Sequence, residues 1–145
     1  KPFARGRDIL LLDSDILFDP EIIRRLMACP DSEALAFERH PLGEEEIKVT
    51  VDDRGLVKEI SKVVDPQTAV GESTGLEKMG AAYTEALFDE LDEMILREGL
   101  DNVFYEKAFE RLIAKGKSFR PVDITGLTAM ELDTVADFEA ANAKL

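Results

Sequence analysis

The stretch DILLLDSDILFDP, residues 8–20, decides how the fold begins. Its aliphatic run from Ile9 to Leu12 leads directly into two aspartates. A short and wholly apolar run is typical of a strand covered on both faces, as in a parallel sheet. Asp19 and Pro20 then resemble an N-cap followed by proline at the first helical position, which predicts a helix from that point. We therefore expect a strand, an acidic turn and a helix in succession.

The rest of the chain alternates between strand and helix patterns. Strands are predicted in ALAFER (34–39), in a hairpin across EIKVTVDDRGLVKEISK (46–62), in FRPVDIT (119–125) and in TAMELD (128–133), with GESTG (71–75) as a polar loop. Helices are predicted over the apolar pattern from Met79 to Ile95, after a cap at Asp101 or Asn102, and after a capping box of Thr134 and Asp137. This order predicts one α/β domain over residues 1–145, with a mixed, mostly parallel sheet flanked by helices.

Composition argues against several classes of function. The 145 residues carry a formal net charge of −13, which disfavours nucleic acid as a partner because phosphate backbones require a basic surface. Cys29 is the only cysteine, so a disulfide framework and cysteine zinc sites are excluded and a reducing cytoplasm is expected. No apolar run approaches the ~20 residues that cross a bilayer, so no membrane partner is predicted. Because Lys1 stands almost directly before a strand-like run, we expect a piece of a longer protein.

Two pairs of carboxylates occupy matching positions. Asp13 and Asp15 are two residues apart after the first strand pattern, and Glu131 and Asp133 repeat that spacing at the end of a later one. Residues two apart on a strand share a face, and ligands of α/β sheets gather outside the carboxyl ends of strands. If the two strands are neighbours, these hard oxygen ligands converge in a way that suits Mg²⁺. The alternative is that these residues serve only as turn or cap residues.

Five segments of the sequence occur in an informative order: LLLDSDILFDPEIIRRL, DDRGLVKEISK, GESTGLEKM, VFYEKAFERLI and MELDTVADFEAA. In that order they resemble the nucleotidyltransferases of GT-A-like fold, the fold of nucleotide-diphospho-sugar transferases. Within that superfamily the sequence is most similar to the bacterial CTP:phosphocholine cytidylyltransferases and to relatives that act on similar small phosphates or phosphonates. The resemblance covers nearly the whole chain.

The resemblance implies a metal site. Asp13 and Asp15 match the family's D-x-D element, which implies catalytic residues that bind Mg²⁺ and steady the nucleotide. Glu131 and Asp133 match a second acidic element, which implies two further metal ligands.

The resemblance also implies an acceptor site. Lys62 matches a catalytic lysine that contacts the substrate phosphate after the hairpin, and Glu72 matches a glycine-glutamate element. Phe104, Tyr105 and Glu106 match an aromatic and acidic pocket that holds a quaternary ammonium, in keeping with cation–π attraction. The structural alternatives are a surface lysine, core aromatic residues and a glutamate that complements a helix dipole.

Two departures from the family pattern limit the assignment. Met130 stands where the family has an aromatic residue before the acidic pair. The glycine-rich nucleotide loop, of the form L-A-A-G-x-G-x-R, and the proline-lysine element after it are absent from the sequence. We therefore expect the C-terminal part of a nucleotidyltransferase domain, incomplete at its N-terminus, with most of the nucleotide site missing.

The predicted reaction is Mg²⁺-dependent transfer of a nucleotidyl group from CTP to a small phosphorylated aminoalcohol such as phosphocholine, or to a related phosphonate, with release of pyrophosphate. A sugar-1-phosphate nucleotidyltransferase or a GT-A glycosyltransferase is the alternative among enzymes. An inactive fragment or a non-enzymatic α/β binding module is the alternative of another class. The nucleotide base, the acceptor and homodimerisation stay open.

Overall fold

The computed structural model describes residues 2–143, which form eight strands and four α-helices. The strands are β1 (Ile9–Leu12), β2 (Ile16–Phe18), β3 (Ala34–Glu38), β4 (Lys48–Val51), β5 (Val57–Ser61), β6 (Gly71–Met79), β7 (Arg120–Asp123) and β8 (Ala129–Glu131). The helices are α1 (Pro20–Ala28), α2 (Ala81–Asp92), α3 (Glu106–Ala114) and α4 (Val135–Asn142), and a π-helical turn at Glu93–Arg97 extends α2.

Strand β6 is the centre of the main sheet. The strand order is β5-β4-β6-β3-β7, and β1 pairs with the second half of β6, so that Ile9 lies opposite Met79. Strands β2 and β8 form a separate antiparallel pair. Among the described pairs only β3 and β7 run parallel. The prediction of a mixed α/β fold flanked by helices is therefore confirmed, whereas its mostly parallel sheet is wrong.

The direction of β1 explains that error. Its apolar run predicted a strand covered on both faces, yet among the described strands β1 pairs only with β6, in antiparallel direction, and Leu12 is 37% exposed. A short apolar run reports burial of some of its side chains, and it carries no information about the direction of the neighbouring strand.

The core lies on the two faces of the main sheet. Leu35 and Phe37 of β3 belong to one buried cluster, with residues of β4, β5, α2 and α3. Ala34 and Ala36 of the same strand belong to the other cluster, which includes the apolar side of α1. Alternate residues of a strand point to opposite faces, so the helices cover the sheet from both sides.

Several local predictions are confirmed. Helix α1 begins after Asp19, whose side chain accepts a hydrogen bond from the backbone N–H of Glu21 at 2.8 Å. Strands β4 and β5 form the predicted antiparallel hairpin, and Asp52 closes its turn. Thr134 and Asp137 form the predicted reciprocal capping box at the start of α4. Each of these features depends on neighbours in sequence, which is why the sequence reveals it.

Two local predictions are wrong. GESTG is the first half of β6 rather than a loop, and Gly71 is required there because a Cβ would lie 2.3 Å from the carbonyl oxygen of Glu38. The third helix begins at Glu106, so neither Asp101 nor Asn102 caps it. Phe104 accordingly lies before the helix and is 64% exposed, so it is not the core aromatic residue of the structural alternative.

Candidate functional site

The two acidic pairs meet through β2 and β8. Asp13 and Asp15 lie in the turn between β1 and β2, not along a strand. Ile16 of β2 is opposite Glu131 of β8, and the backbone N–H of Leu132 donates to the carbonyl oxygen of Asp15 at 2.8 Å. The sequence predicted convergence if the two strands were neighbours. The structure brings the pairs together by a different route, since β8 is the neighbour of β2 rather than of β1.

All of the predicted site residues line one cleft of about 780 Å³. They are Asp13, Asp15, Lys62, Glu72, Phe104, Tyr105, Glu106, Glu131 and Asp133. These residues come from segments that are up to 120 positions apart, between Asp13 and Asp133, so the fold alone assembles them. The same cleft is also lined by residues that the sequence did not indicate, namely Ser14, Glu45, Glu46, Ile47, Ser73 and Gly75.

Asp13 is anchored at the floor of this cleft. Its backbone N–H donates to the carbonyl oxygen of Gly75 at 3.0 Å, and the hydroxyl of Tyr105 donates to its Oδ1 at 3.1 Å. Burial raises the pKa of Asp13 above the ordinary aspartate value and Asp15 adds to the shift, although the Tyr105 hydrogen bond opposes it. Burial also raises the pKa of Tyr105, so its hydroxyl remains a donor.

Gly75 makes room for the Asp13 carboxylate. It has a φ of +68° inside β6, where the register between β3 and β6 shifts. A Cβ at this position would lie 2.0 Å from Oδ2 of Asp13. Glycine is therefore required here both for its backbone conformation and for the space that it leaves.

A buried glutamate beneath the cleft is absent from the predicted residues. Glu77 lies in the middle of β6, opposite both Leu11 and Leu35, and it is fully buried. Neither of its carboxylate oxygens has a hydrogen-bond partner among the described residues. Burial raises its pKa well above the ordinary value, and the nearby Asp13 and Glu106 add to the shift. The only sequence signal was one acidic residue directly after Leu76 in the segment GLEKM.

Glu106, which lines the cleft, also has a carboxylate oxygen that accepts no hydrogen bond from the described part of the chain. Its Oε2 is buried and has no hydrogen-bond partner among the described residues. Burial raises the pKa of Glu106, and the charges of Asp13 and Glu131 raise it further, whereas Lys62 lowers it. A buried carboxylate oxygen of this kind is stabilised when a ligand supplies a donor or a cation.

Glu72 is paired with the one histidine of the chain, for which the sequence predicted no role. Nε2 of His40 lies 2.6 Å from Oε2 of Glu72, and Nδ1 lies 2.9 Å from the carbonyl oxygen of Pro41. Burial raises the pKa of Glu72, and the His40 bond opposes that shift. Burial lowers the pKa of His40, but the hydrogen bonds to Glu72 and to the Pro41 carbonyl, together with the charges of Glu72 and Glu38, raise it by more, so the His40 pKa is raised overall.

The acidic residues fit a hard cation, although they form no closed cage. Burial raises the pKa of Glu131, and the charges of Asp133, Glu72, Asp15 and Asp13 raise it further, so negative charge is concentrated here. Within residues 2–143 no three Asp, Glu, His or Cys side chains are arranged closely enough to form a metal site by themselves. Mg²⁺ is usually held by one or two carboxylates together with water and substrate phosphates, and the side chains of this cleft can supply the carboxylates.

Comparisons with known proteins bear on the fold of the chain. No protein-family model matches the sequence. The inositol-1-phosphate CTP transferase of T. maritima superposes with a TM-score of 0.70 at 18% identity, over 97% of this chain and 56% of that chain. The CTP:phosphocholine cytidylyltransferase of Streptococcus pneumoniae superposes with a TM-score of 0.66 at 14% identity, over 93% of this chain and 56% of that chain.

One curated protein is similar to the chain in sequence. CMP-5'-(3-aminopropyl)phosphonate synthase of Streptomyces rubellomurinus is 26% identical over 94% of this chain, which covers 23% of that protein. The chain thus spans about half the length of the solved structures and about a quarter of the curated relative. Its fold is that of the nucleotidyltransferases. No helix of the described residues is both long and apolar enough to cross a membrane.

Proposed function

We propose that this chain carries the metal-binding and acceptor-binding side of an enzyme that transfers a cytidylyl group from CTP to a small phosphate or phosphonate. The observation that carries the proposal is the single cleft in which every residue predicted from the sequence is found. Those residues supply clustered carboxylates, one lysine and two aromatic rings. The nucleotidyltransferase fold and the names of the compared proteins support the same chemistry.

In this reaction a phosphate or phosphonate oxygen of the acceptor attacks the α-phosphorus of CTP. The bond between the α-phosphorus and the bridging oxygen breaks, and that oxygen leaves with pyrophosphate. No protein nucleophile is required, so the contribution of the protein is to align the reacting groups and to balance their charge. Bound Mg²⁺ would neutralise phosphate charge here. Asp13, Asp15, Glu131 and Asp133 are the residues that would hold it.

The acceptor is proposed to lie between Lys62 and the acidic side of the cleft. Lys62 would bind the anionic group of the acceptor, because it is the only basic residue among the described residues that line the cleft. Glu72 and Glu106 would attract a positively charged nitrogen, with Phe104 and Tyr105 beside it. The curated relative is named for an aminopropyl phosphonate, which has this combination of charges. We place the reaction in the cytoplasm, where Cys29 would remain a free thiol.

The test is turnover by the full-length protein with CTP, MgCl₂ and either phosphocholine or an aminoalkylphosphonate. Asp13→Ala and Asp133→Ala are each expected to lower kcat by at least about 100-fold, since each would remove a carboxylate from the metal site. Asp137→Asn is the matched control, because Asp137 caps α4 and is not among the described residues that line the cleft, so the proposed ligands stay in place.

Three results would reject this proposal. Full activity of Asp13→Ala would remove the metal assignment. Turnover of a sugar 1-phosphate with UTP or dTTP, and not of CTP with an aminoalkyl acceptor, would favour the sugar nucleotidyltransferase alternative. A full-length protein that binds no nucleotide in the presence of Mg²⁺ would indicate a non-enzymatic binding module.

A further inference from the structure

Lys62 makes two contacts at the mouth of the cleft. Its ammonium lies 4.8 Å from the centre of the Phe104 ring and 3.1 Å from Oε2 of Glu45. The Glu45 side chain is 91% exposed, so burial does not force the carboxylate against the lysine. A protein carboxylate therefore stands beside the one basic residue that the described part of the cleft contains.

Lys48 holds the segment that carries Glu45. It is 1% exposed, and its ammonium donates to the backbone carbonyl oxygens of Gly43, Glu44 and Glu46 at 3.0, 3.4 and 3.1 Å. The Glu46 carboxylate closes the same turn by accepting from the backbone N–H of Gly43 at 2.9 Å. Burying an ammonium is unfavourable unless its hydrogen bonds are satisfied, and here they fix the conformation of residues 43–46.

We infer that Glu45 is an internal counter-ion for Lys62, presented by the turn that Lys48 holds, and that the phosphate or phosphonate of the acceptor replaces it. The inference rests on the proposed function, in which Lys62 binds that anionic group. Before the acceptor binds, this pair holds the Lys62 ammonium beside Glu45. When the acceptor binds, its anionic group takes the position that Glu45 held beside the ammonium.

The energetic consequence is a modest and measurable reduction in affinity for anions. An exposed ion pair is weak, so breaking it weakens anion binding by only about two- to five-fold. A tighter internal pair would compete more strongly with the acceptor for the Lys62 ammonium. Glu45 thus sets the affinity of the site for the acceptor.

The experiment measures binding of methyl phosphate to the full-length protein without nucleotide, by NMR titration at low salt and about pH 8. A phosphate monoester is a dianion there because its second pKa is about 6. Glu45→Gln is expected to tighten binding about two- to five-fold. Glu44→Gln removes the same charge from the neighbouring residue, whose side chain forms no ion pair with Lys62 in the described structure, and it should give less than half of that gain.

A double-mutant cycle separates the inference from the function on which it rests. Lys62→Met should weaken binding, and in that background Glu45→Gln should gain no more than Glu44→Gln does. If Lys62→Met weakens binding but Glu45→Gln gains no more than Glu44→Gln, the counter-ion is refuted while the role of Lys62 stands. If Lys62→Met leaves binding unchanged, both are refuted.

The role of the turn is tested separately with Lys48→Met. If this variant folds, it should show part of the gain in affinity seen in Glu45→Gln, and an unchanged affinity would refute the role of the turn.

Discussion

At the scale of the residue, the cleft is defined by carboxylates that are poorly solvated. Asp13 is half-buried under the Tyr105 hydroxyl, Glu106 has a buried oxygen without a partner, and Glu77 is wholly buried beneath both. Leaving a buried polar group unpaired is unfavourable, so these residues reduce stability in the absence of a ligand. Buried polar groups that are unfavourable for folding are typical of functional sites.

Replacement of Glu77 tests this cost. Burial raises its pKa in the folded state, so its carboxyl contributes most to stability below the ordinary glutamate pKa, and this contribution is lost as the pH rises towards the raised value. Glu77→Gln stays neutral, and it is expected to raise the free energy of unfolding by roughly 1–3 kcal/mol at about pH 8 and by little at about pH 4.

Urea unfolding with a chelator present, at both pH values, measures this difference. The exposed Glu44→Gln is the control, since it alters charge without altering the interior. A Glu77→Gln variant that is no more stable than the wild type at about pH 8 would show that the buried carboxyl is already compensated.

Gly75 supplies a second prediction at this scale. Gly75→Ala adds a Cβ that meets the Asp13 carboxylate, and it also places alanine at a φ of +68°. Gly99→Ala has the same conformational cost at a φ of +70°, but its Cβ would meet no atom within 4 Å. We expect a loss of about 1 kcal/mol for Gly99→Ala and at least about 2 kcal/mol for Gly75→Ala, because only the latter adds a steric clash.

Thermal unfolding of both variants provides the comparison, and turnover of the full-length protein provides a second readout. Gly75→Ala is expected to lose activity because Asp13 must move, while Gly99→Ala keeps it. Equal losses of stability with unchanged activity would show that the space beside Asp13 is not needed.

At the scale of the element, the sequence predicted the helix caps and the hairpin turn, which depend on local pattern. It missed the first half of strand β6, which depends on the strands that pair with it. The cap of α1, the turn of the hairpin and the capping box of α4 follow from residues within a few positions of each other. Strand β6 was missed because GESTG lacks apolar alternation. Its first half is a strand because β3 and β4 pair with it on either side. Tertiary pairing here overrides local propensity.

Helix α4 gives the prediction that belongs to this scale. Thr134 follows Asp133 directly, and its hydroxyl accepts from the backbone N–H of Asp137 at 3.2 Å. Thr134→Ala is expected to reduce stability by about 0.5–2 kcal/mol and to increase amide hydrogen exchange in α4, because the helix loses its N-cap. Thr134→Ser retains the hydroxyl and should restore both. Protection of α4 that is unchanged in Thr134→Ala would contradict the importance of the cap.

At the scale of the whole molecule, the fold joins two acidic pairs and an acceptor side that are far apart in sequence. The spacing of the carboxylates suggested the two acidic pairs, and resemblance to a family suggested the acceptor side. The pairing of β2 with β8 and the position of β6 bring them together. The sequence alone could not reveal Glu45, Lys48 or Glu77 as parts of this region. Their significance comes from an ion pair, a buried ammonium and a buried carboxyl, which exist only in the folded chain.

The most direct test of the central claim follows phosphorus by ³¹P NMR in a mixture of full-length protein, CTP, MgCl₂ and an aminoalkylphosphonate or phosphocholine. We predict that the α-phosphorus of CTP becomes linked to the acceptor as pyrophosphate appears in equal amount, and that both signals fail to appear with Asp13→Ala. Consumption of CTP to CDP and inorganic phosphate, or formation of the linked product by Asp13→Ala at the wild-type rate, would contradict the account.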